Sequence, residues 1–158
     1  MEVRKPNRVV RSYVQKLVAP PDRVLPLLCP VREADWLERW DPRVVFTESG
    51  VAERDCVFVT AAEPQNAVWM VTRLEPASGR VEMVKITPEV TACVLRIAVN
   101  ATGDGGSEAL VTYSHTSLGP RGDEFVAGFT EVFYQDFMRD WERRLNHYLE
   151  SGQLLASS

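Results

Sequence analysis

Apolar and polar positions alternate along most of the chain, and prolines and glycines cut the alternation into segments. Residues 8–18 (RVVRSYVQKLV) put Val10, Val14 and Val18 on one face with Ser12 and Lys16, the pattern of a half-buried strand rich in β-branched residues. Pro20, Pro21 and Asp22 stop this strand and open a helix with proline at an N-terminal position. That helix, 22–28, is short and apolar; Pro26 limits it and Cys29-Pro30 breaks it. A second short helix is predicted over 33–40. Trp36 and Trp40 stand four apart there, with Leu37 beside them, so one side is apolar. Asp41-Pro42 closes it.

Six further strands are predicted, over 43–47, 55–62, 67–75, 81–87, 91–101 and 108–118. Pro76 to Gly79 forms one hairpin loop, with glycine where a positive φ is expected, and Gly103-Asp104-Gly105-Gly106 forms another. Cys93, Leu95, Ile97 and Val99 share one face of their strand. Val111, Tyr113 and His115 share a face of the last strand, leaving Leu110, Thr112, Ser114 and Thr116 for the opposite, solvated side. In 67–75 both faces compete: Val68, Met70 and Leu74 against Trp69 and Val71. A long helix, 123–151, closes the pattern, with Asp123 in position to cap it. Phe125, Phe129, Phe133, Phe137, Trp141, Leu145 and Leu149 recur every four residues. That spacing drifts by about 40° per step on an α-helix, so the apolar stripe winds and a bend or a change of packing partner is predicted near the middle.

This order gives an α+β fold: a curved antiparallel sheet of six or seven strands around a long C-terminal helix, with two short helices after the first strand. Only the last helix is long enough to cover the sheet, and a curved sheet closed by one helix leaves room for an apolar ligand between them. The cone of ketosteroid isomerases and dehydratases is the nearest alternative, but there the helices mostly precede the sheet. With 158 residues the chain makes one domain. Its net charge of −4 argues against a general nucleic-acid binder. No secretory signal and no run of about 20 apolar residues is read in it. Cys29, Cys56 and Cys93 are odd in number and widely spaced, which fits free thiols in a reducing cytoplasm. Two histidines, His115 and His147, with no Cys/His cluster, give no metal signature.

Two stretches carry a resemblance. CPVREADWLERW (29–40) and VTYSHTSLGPRG (111–122), the latter running into an aromatic helix, resemble the START-related helix-grip superfamily, SRPBCC. That group includes birch-pollen-allergen-like proteins, lipid-transfer START domains and polyketide cyclases/dehydrases. The resemblance covers about residues 8–149. It implies a single helix-grip domain over 1–158, binding or transporting a small apolar ligand (lipid, sterol or polyketide-like) between sheet and C-terminal helix, without cofactor or metal. The alternative it implies is a polyketide cyclase/dehydratase-type enzyme using the same cavity. The motifs are structural, and no catalytic set carries over.

Each candidate has a functional and a structural reading. Phe129, Phe133 and Phe137 line a ligand pocket or pack the helix on the sheet. Tyr113 and His115 hydrogen-bond a ligand carbonyl or hydroxyl, with His115 able to act as general acid/base, or form a structural pair satisfied by the backbone. Trp36 and Trp40 gate the entrance or anchor the short helix. Leu95, Ile97 and Trp69 complete the expected ligand-contacting set. Glu33, Asp35, Glu38 and Asp41 read as a solvated helix face, since their spacing matches no calcium loop. Asp136, Asp140 and His147 fall towards solvent. There is no GxSxG, P-loop or GxGxxG motif, and the three thiols read as inert. The expected partner is a small apolar molecule, with no nucleic acid and no membrane span; an open sheet edge offers a route to a homodimer.

Overall fold

A computed structural model describes residue 5 and residues 7–156. Strand β1 (Arg8–Leu17) is followed by one helical turn, α1 (Pro21–Val24), and two 3₁₀ turns, Leu25–Leu28 and Arg32–Asp35. Six strands follow: β2 (Arg43–Phe46), β3 (Val57–Thr60), β4 (Ala67–Glu75), β5 (Arg80–Thr87), β6 (Thr91–Ala101) and β7 (Ser107–Ser117). Helices α2 (Pro120–Gly128) and α3 (Glu131–Ser151) end the chain. The seven strands make one antiparallel sheet in the order β1-β7-β6-β5-β4-β3-β2. Strands β2 to β7 thus form a meander, and β1 pairs with the last strand.

Register decides what the concave face carries. One row across the sheet reads Phe58, Trp69, Lys85, Cys93, His115, from β3 to β7. The next reads Val71, Met83, Leu95, Tyr113, from β4 to β7. Because side chains alternate, these rows point inwards, as their burial shows, while Val68, Met70 and Leu110 point outwards. This settles the ambiguous β4: Trp69 and Val71 are its inner residues. Helix α3 lies against the inner face and presents Tyr134, Met138, Trp141, Leu145 and Leu149 to the core.

The sequence left the inner face of β1 open. The valine face is the outer one, with Val10 53% and Val14 46% exposed. The inner face carries Arg11, Tyr13, Gln15 and Leu17. Its polar members are tolerated because the helices give them partners: Arg11 Nε donates to the Phe129 carbonyl (3.2 Å) and Gln15 Nε2 to the Met138 carbonyl (3.3 Å). The second short helix shrinks to the 3₁₀ turn Arg32–Asp35. Indole donors fold this segment back instead: Trp36 Nε1 to the Leu27 carbonyl (2.8 Å) and Trp40 Nε1 to the Pro30 carbonyl (2.7 Å). The long helix is two helices. Gly128 ends α2, and Thr130 caps α3 by accepting from the Phe133 amide (3.2 Å). The break falls nearer the start of the predicted span than its middle. Asp123 sits in the first turn of α2 rather than at its cap, and its carboxylate accepts from Ser117 Oγ (2.7 Å) and Asn7 Nδ2 (2.7 Å).

Candidate functional site

The two inner rows of the sheet, the α2–α3 junction and the loop through Leu37, Trp40 and Asp41 enclose a cavity of about 520 Å³. Its sheet wall is Trp69, Met83, Lys85, Leu95, Tyr113 and His115. Trp69 is held flat by stacking on Phe58 (centroids 5.4 Å, 11° between planes) and by its Nε1 donating to Thr60 Oγ1 (2.9 Å). The helix wall is aromatic: Phe125, Phe129, Phe133, Phe137 and Trp141. The four-residue spacing that failed to describe one straight helix still delivers these rings, because the kink at 129–130 turns α2 and the start of α3 over the same opening.

Arg39, Asp41 and Thr60 also line this space, and four more polar side chains enter it. His115 is 2% exposed, with its ring 4.6 Å from Phe129 and 4.8 Å from Phe125 between centroids. Its Nε2 lies 3.8 Å from Cys93 Sγ, and its Nδ1 has no hydrogen-bond partner among the described residues. Burial, reinforced by nearby Lys85, pulls the imidazole down to about 4, so it is neutral at pH 7. Tyr113 sits against Phe129, Tyr134 and Phe137, and burial holds its phenol protonated. Glu33 is 7% exposed, and burial alone pushes its carboxyl up to about 8. It is therefore mostly a neutral acid at pH 7, a donor as well as an acceptor. Lys85 Nζ lies 4.9 Å from the centre of the Trp69 ring, and burial lowers its pKa. Cys93 is driven up to about 11 by burial, which makes it a poor nucleophile. Together these groups offer a ligand oxygen two protonated donors, a neutral imidazole and a lysine nitrogen inside an aromatic shell.

No known family's sequence profile matches the chain, and no curated protein matches it in sequence. Solved structures do match in shape. Norcoclaurine synthase from Thalictrum flavum superposes with a TM-score of 0.66 at 10% identity, over 92% of this chain and 88% of that one. Ara h 8.0201 gives 0.62 at 14% identity, over 91% and 99%. DynU16, encoded in the dynemicin biosynthetic locus, gives 0.58 at 19% identity; 93% of this chain spans 48% of it. The fold is the helix grip. At these identities the likeness concerns the fold, and the contents of the helix-grip cavity are this chain's own.

Of the nine residues expected to contact a ligand, the helix-grip cavity is bordered by Tyr113, His115, Phe129, Phe133, Phe137, Leu95 and Trp69. Trp36 and Ile97 lie elsewhere. Trp36 is fully buried, edge-on to Trp141 (5.2 Å), and Ile97 is a core residue one row further along the sheet. The expected solvated acidic face is corrected at Glu33. In a 3₁₀ turn residues three apart eclipse, so Glu33 follows Trp36 inwards, while Asp35 stays outside and pairs with Arg32 (2.6 Å). Lys85 was also missed. Its signal was readable, because it stands opposite Cys93 in the β5–β6 register. Asp136 and Asp140 pair with Arg139, Arg143 and Arg144 on the outer side of α3, and His147 is partly exposed. Among the described residues no three His, Cys, Asp or Glu side chains converge on a metal-sized site, and no helix is long and apolar enough to cross a membrane.

A second cavity, of about 600 Å³, opens beside α1. It is almost wholly apolar, lined by Leu25, Leu28, Val71, Leu74 and Val81 among others, with Asp22 and Arg32 at its margin. Met83 lines both cavities.

Proposed function

We propose that this protein binds a small, largely apolar molecule carrying a carbonyl or hydroxyl oxygen, in the cavity between the sheet and the α2–α3 junction. The supporting observation is the aromatic shell closed around Tyr113, His115 and Glu33 on the inner walls of the cavity. A ligand oxygen that accepts from the protonated Tyr113 or Glu33 regains there the hydrogen bond it gives up on leaving water. Native mass spectrometry of the purified protein, followed by denaturing extraction, is expected to show a bound apolar mass. Titration with 1-N-phenylnaphthylamine is expected to give saturable fluorescence. Phe137→Ala, which removes a partly exposed ring from the cavity wall, should weaken that binding by about tenfold, equivalent to about 1.4 kcal/mol. An empty protein that also fails to bind the probe contradicts the reading.

A second reading has its own support. A carboxyl protonated at pH 7 and a neutral imidazole in one cavity are an acid and a base placed for enolisation, the step a cyclase or dehydratase of polyketide-like substrates requires. Deuterium exchange next to the carbonyl of an added ketone, followed by NMR, tests it. Exchange above background that is lost in both Glu33→Gln and His115→Phe supports catalysis. Equal exchange in wild type and variants leaves the carrier reading alone.

A further inference from the structure

The cavity beside α1 is built of different material from the aromatic one. Its volume of about 600 Å³ is walled by Leu25, Leu28, Val71, Leu74 and Val81. Among the described residues none of the side chains lining it carries an aromatic ring, and none comes from α2 or α3. It therefore lies outside the space that the long helix covers, and Met83 is the one residue common to both linings. Its rim is stiff. Pro21, Pro26 and Pro76 stand on it, and proline fixes its own φ. Pro76 opens the turn between β4 and β5, which Gly79 completes at φ 67°. A methyl group at position 79 would lie 2.1 Å from the Val99 carbonyl oxygen, so this turn is seated directly on β6. Native interiors close-pack, and voids larger than a water molecule are few. An apolar void that cannot collapse favours hydrocarbon over water.

Two charged side chains, Asp22 and Arg32, stand at the margin of this cavity. Arg32 is already held by Asp35 (2.6 Å), so the mouth offers no unbalanced cation. Arg23 and Glu150 line the cleft on the far side of Asp22 and Arg32, again one charge of each sign. A carboxylate head group entering here would meet Asp22 beside Arg32, and an ammonium the reverse. A hydroxyl suits both, since it accepts from a guanidinium and donates to a carboxylate. We propose that this cavity is a second ligand site, independent of the aromatic one, and that it takes linear aliphatic alcohols. The chain lies along the leucine and valine walls, and the hydroxyl sits between Asp22 and Arg32. The proposal adds a site to the binding reading and stands or falls separately from it.

Cys29 supplies a reporter. It lines this cavity and is partly exposed, with its Sγ accepting from the Ala52 amide (3.1 Å), whereas Cys56 and Cys93 are fully buried. The full chain is treated with N-ethylmaleimide at pH 7 over a decan-1-ol series, and peptide mass mapping follows Cys29. Decan-1-ol is expected to protect Cys29 saturably, at concentrations at least about tenfold below those needed of decanoate or decyltrimethylammonium. Native mass spectrometry with both ligands should show decan-1-ol and phenylnaphthylamine together on one chain. Leu74→Trp fills this cavity with a ring. On protein with a wild-type circular dichroism spectrum, it should raise the protecting concentration of decan-1-ol by more than about tenfold and leave phenylnaphthylamine affinity unchanged. Decan-1-ol that displaces phenylnaphthylamine one for one, that leaves Cys29 of wild type unprotected, or that protects Leu74→Trp as well as wild type overturns the proposal. Tighter binding of decanoate or decyltrimethylammonium overturns it too. In each of these cases saturable phenylnaphthylamine fluorescence keeps the first site standing. Its absence beside intact protection of Cys29 removes the first site alone.

Discussion

Glu33 carries a testable consequence of its burial. Its carboxyl titrates near 8 in the folded chain and near 4.5 when exposed. Between those values the folded state holds more protons than the unfolded one, so its contribution makes stability fall as pH rises. Glu33→Gln removes the titration. The variant should match wild type most closely below pH 4.5 and gain on it steadily up to about pH 8, by a few kcal/mol at most. Thermal melts of the two proteins across that range check this; a constant offset would mean that the carboxyl is hydrated when folded. The acidity of Glu33 was invisible in the sequence, where it is one of four acidic residues in a short run. What buries it is the conversion of an expected α-helical turn into a 3₁₀ turn. By contrast, Tyr113 and His115 were legible, because strict alternation along β7 leaves no choice of face once Val111 is inside.

Local elements are set by contacts that the hydrophobic pattern does not record. The apolar spacing from Phe125 to Leu149 reads as one helix, and the break at 129–130 lies in the neighbouring letters: glycine at 128 and a capping threonine at 130. Thr130→Ala should destabilise the protein by about 1 kcal/mol, measured by urea denaturation, because the Phe133 amide loses its acceptor. Helix α2 depends on a close approach as well. A methyl group at position 122 would lie 2.0 Å from the Val90 carbonyl oxygen and 2.7 Å from Ser117 Oγ. Gly122→Ala should therefore push α2 off the β5–β6 turn. Since α2 brings Phe125 over His115, the variant should bind phenylnaphthylamine more weakly than Phe137→Ala does, with a loss from wild type of more than about tenfold. Strands β4 and β6 were read to the residue because each is bounded by loops and packed on one side. The inner face of β1 was left open for a physical reason: its inner partners include helix carbonyls, which favour arginine and glutamine over aliphatic residues.

At the scale of the molecule the buried groups act on stability in opposite directions. His115, lowered to about 4 from 6.5, leaves the folded state with fewer protons than the unfolded state across that interval, so stability is lost as pH falls through it. Between about 4.5 and 6.5 this slope opposes that of Glu33, and the two largely cancel. Wild type is expected to show a plateau of melting temperature over that range, declining on both sides. His115→Phe should remove the acid side of the decline and Glu33→Gln the alkaline side. The β2–β7 meander was readable from element order alone, since short hairpins dictate neighbours, whereas the pairing of β1 with β7 was not. The division of the interior was not, because it depends on how far rings from α3 reach across the sheet.

That division has a consequence through Met83, the side chain that borders both cavities. Methionine is unbranched and turns about three bonds, so it acts as a soft partition rather than a wall. Under the proposed binding function, a short ligand is expected to leave it in place and a longer, linear tail to rotate it aside and run on towards Leu25 and Leu74. Chain length should then order the affinities within a homologous series, with a step in residence time at the length that first displaces the thioether.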